Sequence, residues 1–157
     1  MPKAPKIVPV VPTAENQKVP WRYTTQRPNG EWFQPGFDAG SWKEGTAGFG
    51  TRGTPGSIIG TEWSSRTIWL RREFTLPERE LASLHFRVHH DEDVEVYLNG
   101  VRALELSGYT TGYETAPIAP AARAALKPGK NIIAIRCRQT NGGQYIDCGL
   151  VEVIPVE

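Results

Sequence analysis

Several familiar signatures are missing from these 157 residues, and each absence removes a class of protein. Hydrophobic residues make up 39% of the chain, and no apolar run approaches the ~20 residues that a bilayer-spanning helix needs. No membrane partner is therefore expected. The N-terminal residues lack the apolar core of a signal peptide, so any export signal is expected outside this chain. Charge of neither sign dominates: 18 Lys and Arg face 17 Asp and Glu, for a net charge of +1. A nucleic-acid binder would carry a basic stripe, and none is present. The glycine-rich stretch 48–56 does not open a helix, so it lacks the geometry of a phosphate cradle. No EF-hand spacing occurs, and no serine sits in a nucleophile elbow. Cysteine is scarce, with only Cys137 and Cys148. Both fall on apolar strand faces, and across a loop at Asn141-Gly142-Gly143 they become diagonal neighbours. That geometry is poor for a disulfide, so two buried thiols acting as small hydrophobes are expected, with a disulfide as the alternative.

What is present suits a loop-rich all-β domain: 16 Gly, 13 Pro and 5 Trp in a chain long enough for one core. Residues 1–20 read as a Pro- and Lys-rich linker or an extended edge segment. In the second alternative Ile7-Val8 and Val10-Val11 pack as a strand. Residues 21–157 are the expected folded domain. Trp21 and Tyr23 share a face of a short strand. The stretch 31–45 holds too much Gly and Pro for regular structure. Phe37 and Trp42 are expected to plug the core from it, with Asp38 closing an Asx-type turn. Ile68, Leu70 and Phe74 alternate with Trp69, Arg71 and Glu73, which is strand periodicity ended by Pro77. Leu84, Phe86 and Val88 alternate with His85, Arg87 and His89. Residues 120–126 are Ala-rich and predict a turn or two of helix, stopped by Pro128-Gly129. Residues 131–138 and 145–153 are the last two strands. Seven or eight strands with long loops and one small helix predict an antiparallel β-sandwich of jelly-roll type.

The stretch from His89 to Gly100 joins a polar cluster to a hairpin. Val94, Val96 and Leu98 alternate with Glu95 and Tyr97. Asn99-Gly100 then tolerates the positive φ that a type I′ turn demands, and 101–106 is the return strand. The cluster itself, His89-His90-Asp91-Glu92-Asp93, is the stretch most open to a chemical reading. Catalysis by paired carboxylates is not supported, because consecutive acids on an extended chain point to opposite faces. For metal the expectation is none. A structural calcium held by Asp91 and Asp93 stays open as an alternative, against acids that bond loop amides or pair with Arg87 or Arg102.

Three phrases carry a family resemblance: Ile68-Trp69-Leu70-Arg71-Arg72-Glu73-Phe74, Val94-Glu95-Val96-Tyr97-Leu98-Asn99-Gly100 and Leu126-Lys127-Pro128-Gly129-Lys130-Asn131-Ile132-Ile133-Ala134-Ile135. Their order resembles the sugar-binding jelly-roll domain of glycoside hydrolase family 2 enzymes, within the galactose-binding-domain-like superfamily. Gly108-Tyr109-Thr110-Thr111 is similar to that domain's loop between hairpin and helix. Phe37-Asp38-Ala39-Gly40-Ser41-Trp42-Lys43 is similar to a segment of carbohydrate-binding modules attached to carbohydrate-active enzymes. The resemblance implies a scaffold whose catalytic carboxylates lie in a separate barrel domain. It also implies that a structural calcium is common among such modules.

A sugar site pairs an aromatic platform with planar polar groups that bond hydroxyls. The candidate platforms are Trp32, Trp63, Tyr109, Tyr113 and Tyr145. The candidate polar groups are Arg66, His89, His90, Asp91, Gln139, Asn141, Gln144 and Asp147. Trp21, Trp42 and Trp69 are assigned to the scaffold. If the mouth of the hairpin and the 139–144 loop meet, His90, Asp91 and Gln144 line that end. The expected function is a non-catalytic carbohydrate-binding module that holds an attached glycoside-active enzyme near polysaccharide. The alternative is a ligand-free accessory domain packing on a catalytic domain. The expected partners are a poly- or oligosaccharide and that catalytic domain. The expected setting is secreted, periplasmic or at the cell surface.

Overall fold

The computed structural model describes residues 3–81 and 83–156. Met1, Pro2, Ala82 and Glu157, which belong to the segments 1–20 and 21–157 above, lie outside the described residues. The strands in chain order are β1 (Lys6–Val11), β2 (Pro20–Thr24), β3 (Lys43–Thr46), β4 (Phe49–Gly50), β5 (Thr61–Glu62) and β6 (Thr67–Leu76). Then come β7 (Leu84–Asp91), β8 (Asp93–Leu98), β9 (Val101–Leu106), β10 (Glu114–Pro117), helix α1 (Pro120–Ala125), β11 (Gly129–Arg138) and β12 (Tyr145–Ile154). They form two sheets packed as a sandwich, which is the all-β architecture with one short helix that the periodicity predicts.

One sheet runs β10-β7-β12-β4-β5, with β1 also paired to β12, and the other runs β3-β2-β6-β11-β8-β9. Every pairing is antiparallel except the short β4–β5 contact. The core fills from alternate positions: Ile68, Leu70 and Phe74 from β6, Phe86 and Val88 from β7, Val94, Val96 and Leu98 from β8, Ile133 and Ile135 from β11. Cys137 and Cys148 are buried in that core and are free thiols. Burial pushes both thiols well up from their ordinary value.

Of the two expectations for the N-terminal stretch, residues 6–11 adopt the strand. Ile7 pairs with Val153 and Pro9 with Val151, and the register shifts beyond Pro9, whose ring has no N–H to donate. The Asn99-Gly100 turn has φ values of +49° and +85°, as a type I′ hairpin requires. Asn99 does more than turn the chain. Its side-chain NH2 donates to Ala125 O at 2.8 Å, and its Oδ1 accepts from Ile132 N at 2.8 Å. The hairpin tip is thereby tied to the end of α1 and to β11.

The stretch 31–42 departs from the expected core plug. It folds across the outer face of the β6–β11–β8 sheet, where Phe37 and Trp42 touch each other at 5.7 Å and stay half-buried. Asp38 closes the Asx turn onto Gly40 N at 2.8 Å. What holds this stretch down is Arg71, on the outward face of β6. Its guanidinium donates to the carbonyls of Trp32 (2.7 Å), Gln34 (2.8 Å), Pro35 (3.3 Å) and Phe37 (3.3 Å). It also lies over the Phe37 ring. A buried guanidinium with no carboxylate in contact is tolerable only because these carbonyls replace its hydration.

Replacing Arg71 with Met should therefore cost about 3 kcal/mol, because it strands loop carbonyls that lost water on folding. Urea unfolding followed by tryptophan fluorescence measures the loss. A cost below about 0.5 kcal/mol would show that Arg71 does not staple the loop.

Candidate functional site

The β7–β12 pairing decides where the polar cluster goes. Tyr145 stands opposite Asp91, Ile146 opposite His90, Asp147 opposite His89 and Gly149 opposite Arg87. Directly opposed residues project to the same side. Since Ile146, Cys148, Phe86 and Val88 fill the core, His89, Asp91, Tyr145 and Asp147 all stand on the outer face of that sheet. Three segments cover them. The chain from Val11 to Thr13 passes over Gly149, where a Cβ would collide with Val11 O. The stretch 47–60 lies over Tyr145, whose hydroxyl donates to Ile58 O at 2.9 Å. The third segment, 107–113, is anchored by Gly108 N to Asp93 Oδ1 (2.9 Å) and Thr110 N to His90 O (2.8 Å).

Several sequence-selected residues are therefore internal rather than loop-borne. Trp63 is only 2% exposed and bonds Ser65 Oγ through its indole N–H, so its ring offers no stacking face. Tyr145 and His89 are wholly buried, with ring centroids 4.5 Å apart. His90 points toward the core and contacts Glu92 O through Nδ1 at 2.7 Å. Gln144 is buried and works as a brace: its N–H donates to Thr54 Oγ1 (3.1 Å) and its side chain to Ser65 O (2.9 Å). Asp147 is buried and accepts from Ala14 N (2.8 Å) and Cys148 N (2.9 Å). Tyr113 is half-buried, with its hydroxyl 2.6 Å from both Asp147 Oδ2 and Tyr145 Oη. Gln139 is half-buried and bonds Gly142 O within its own turn. Trp32 is on the opposite sheet, edge-on to Phe33 and Tyr97.

The hairpin mouth and the 139–144 loop do meet, through Asn141 N and Glu92 Oε1 at 2.6 Å. Glu92 and Asp93 are thus loop braces. Arg87 and Arg102 pair elsewhere, with Glu15 and Glu105. Among the described residues no group of three His, Cys, Asp or Glu stands close enough to hold a metal.

Asp91 is the exception in the cluster. It is 6% exposed, yet no donor bonds its carboxyl among the described residues. Burial, reinforced by the Glu92 charge and opposed by His90, pushes its pKa up to about 6. The carboxyl abuts the 139–144 loop: a Cβ on Gly143 would meet Thr54 Oγ1 at 3.0 Å and Asp91 Oδ2 at 3.1 Å. Beside it, in an antiparallel bridge, stands Tyr109, which is 65% exposed and the most exposed large apolar side chain described. The end of the sandwich thus presents one open aromatic ring next to one carboxyl without a donor. Thr51, Thr54 and Thr110, which build this end, carry no local sequence signal. Thr54 and Gln144 are 90 residues apart, and only the fold brings them together.

A groove of about 630 Å³ also runs over the other sheet, between Trp21, Phe37, Arg22, Arg71 and Glu73. None of the sequence-selected residues lines it.

His89 and Asp91 shift the pH dependence of stability in opposite senses. Burial holds the His89 imidazole below its ordinary value of 6.5, opposed by the Thr110 backbone. The unfolded chain takes up a proton near pH 6.5 that the folded chain refuses, so stability falls as pH drops below 6.5. Asp91 keeps its proton up to about pH 6 when folded but releases it near 3.8 when unfolded, so its contribution falls as pH rises through that window. Urea unfolding between pH 4 and 7.5 should show less acid sensitivity in His89→Phe and a smaller loss from pH 4 to 6 in Asp91→Asn. Slopes identical to the parent's would refute both assignments.

Neither known family models nor curated proteins match this sequence. Solved structures do match the fold. A β-glucuronidase from glycoside hydrolase family 2 superposes with a TM-score of 0.60 at 15% identity, covering 96% of this chain and 18% of that one. The β-glucuronidase from Ruminococcus gnavus gives 0.58 at 12% identity, covering 98% of this chain and 30% of that one. A glycosyl hydrolase family 2 member from Bacteroides cellulosilyticus DSM 14838 gives 0.57 at 14%, over 83% and 20%. This chain therefore spans less than a third of the length of those three enzymes, and what it shares with them is the fold of a β-sandwich region.

Proposed function

We propose that this chain is a non-catalytic accessory domain of a glycoside hydrolase and that it binds carbohydrate at the end formed by Asp91 and Tyr109. The single observation that carries the reading is that pair: an exposed ring beside a carboxyl that no donor among the described residues bonds. A sugar supplies what both lack. Its C–H face stacks on the Tyr109 ring, and its hydroxyls donate to the Asp91 carboxylate. The fold likeness to part of much longer family 2 enzymes supports the accessory role. Weak binding of this kind acts by raising the local concentration of an attached catalytic domain at polysaccharide, in a secreted, periplasmic or cell-surface setting. The site needs no cofactor. Of the acids considered for calcium, Asp93 is already engaged by Gly108 N, which favours the metal-free reading.

A second reading has its own observation. Ile154 and Val156 are exposed apolar residues at the far end of β12, where Lys6 pairs with Ile154. They suit a domain that packs against a catalytic domain without binding ligand.

Affinity gels and calorimetry across neutral and acidic polysaccharides separate the two. Tyr109→Ala should weaken binding at least about tenfold with the fold unchanged. Because the carboxylate is the acceptor, affinity should rise as pH increases through about 6, and Asp91→Asn should flatten that dependence. No retention on any glycan at pH 7.5 would remove the binding reading and leave the packing one.

A further inference from the structure

Above β12, on the face away from the core, four oxygen atoms form an unbranched chain. Asp147 Oδ2 lies 2.6 Å from Tyr113 Oη, Tyr113 Oη lies 2.6 Å from Tyr145 Oη, and Tyr145 Oη lies 2.9 Å from Ile58 O. All three separations are hydrogen-bond distances, so each gap needs one proton. With Asp147 ionised, the two tyrosines supply two protons for three gaps. One short oxygen–oxygen contact would then face lone pair to lone pair. With Asp147 as the neutral acid, three protons fill three gaps: Asp147 donates to Tyr113, Tyr113 to Tyr145 and Tyr145 to Ile58 O. The acid oxygen still accepts from Ala14 N (2.8 Å), and Oδ1 from Cys148 N (2.9 Å).

The surroundings offer no compensation for a charge. His89 stands opposite Asp147 in register, but its ring packs on Tyr145 and Tyr113 and makes no hydrogen bond to Asp147. Arg87, two residues along on β7 and opposite Gly149, is engaged by Glu15 from the covering segment at 3.0 Å. Glu15 itself adds negative charge facing Asp147. Arg72 on β6 feels the Asp147 charge but forms no ion pair with it. On β12 the neighbours are Tyr145 and the neutral thiol of Cys148. Burial is the first cause raising the Asp147 pKa, which agrees in direction with the proton count.

We propose that Asp147 is held as a neutral acid and heads a proton-dependent clamp, in which its deprotonation weakens the hold on the segment carrying Ile58. The physical reason is a shortage of donors. Once Asp147 ionises, it keeps the Tyr113 proton by the stronger, charge-assisted bond. The Tyr145 proton can then serve either Tyr113 or Ile58 O, and one of the two contacts opens. The clamp stands whether or not the Tyr109 ring binds sugar.

The test is a carbon-13 NMR titration of the Asp147 side-chain carboxyl in the full chain, read together with amide exchange. Gly60 and Thr61 report on the clamped segment, since both amides bond Gly48 O, while Thr110, bonded to His90 O on the segment that Tyr113 keeps, is the internal control. The expected result is that Asp147 keeps its proton to a higher pH than the exposed carboxyls of the same chain. Protection factors at the Gly60 and Thr61 amides should then fall about fivefold as Asp147 loses its proton, the worth of one hydrogen bond. Tyr113→Phe removes the competitor for the Tyr145 proton, so Tyr145 donates to Ile58 O throughout and protection at those amides should no longer fall with pH. Asp147→Asn should abolish the pH dependence. Asp147 titrating together with the exposed carboxyls, or Gly60 and Thr61 protection factors unchanged across its titration, would overturn the proposal.

Discussion

The register of β12 against β7 is the constraint from which the candidate site follows. It sets Asp91 against Tyr145 and Asp147 against His89 on one side, while Ile146, Cys148 and Leu150 meet the core on the other. A slip of one residue would send Asp147 and Tyr145 into the sandwich and expose Ile146 and Cys148. The hydrophobic alternation on both strands forbids that. The polar residues of β7 and β12 are therefore committed to the outer face before anything decides what will cover it.

Both outer faces are covered, by different chemistry. Over β6, β11 and β8 the cover is the 31–42 stretch, held by one buried cation, Arg71, whose guanidinium is shared among loop carbonyls. Over β7 and β12 the cover is three separate segments joined by hydrogen bonds to Tyr113, Tyr145 and Asp147. The first arrangement is insensitive to pH, because a guanidinium keeps its charge over the whole range in which a protein folds. The second contains a carboxyl whose proton is part of the structure. The difference places the pH-dependent behaviour of this domain on the β7–β12 side, where Tyr109 also stands.

Function in this fold has to be read from sites, since similar sandwiches occur inside enzymes much larger than this chain. Most of the polar residues that look like chemistry in the sequence turn out to be bracing. Glu92 holds Asn141, Asp93 holds Gly108, and Gln144 holds Ser65. Bracing consumes their hydrogen-bonding capacity. The Asp91 carboxyl and the Tyr109 ring are not consumed in this way.

Strand periodicity is a local property, and the sequence alone determined much on that basis. Alternation in 67–75, 84–89, 94–98, 131–138 and 145–153 located the long strands and their core faces. Asn99-Gly100 located the hairpin, and Pro120 to Leu126 the helix. The short strands β3, β4 and β5 were illegible, because two to four Gly- and Thr-rich residues have no period and pair only when a neighbour is supplied. The site was half legible. The sequence singles out Asp91 and Tyr109 as residue types, but nothing local distinguishes them from His89, Tyr145 and Asp147. Exposure of an outward-facing side chain depends on which distant segment lies over it. Asp147 is closed in by Ala14, 133 residues away, and Tyr145 by Ile58, 87 residues away. Only the tertiary structure makes that choice, because covering a sheet face is decided by long-range packing and hydrogen-bond partners rather than by the strand beneath.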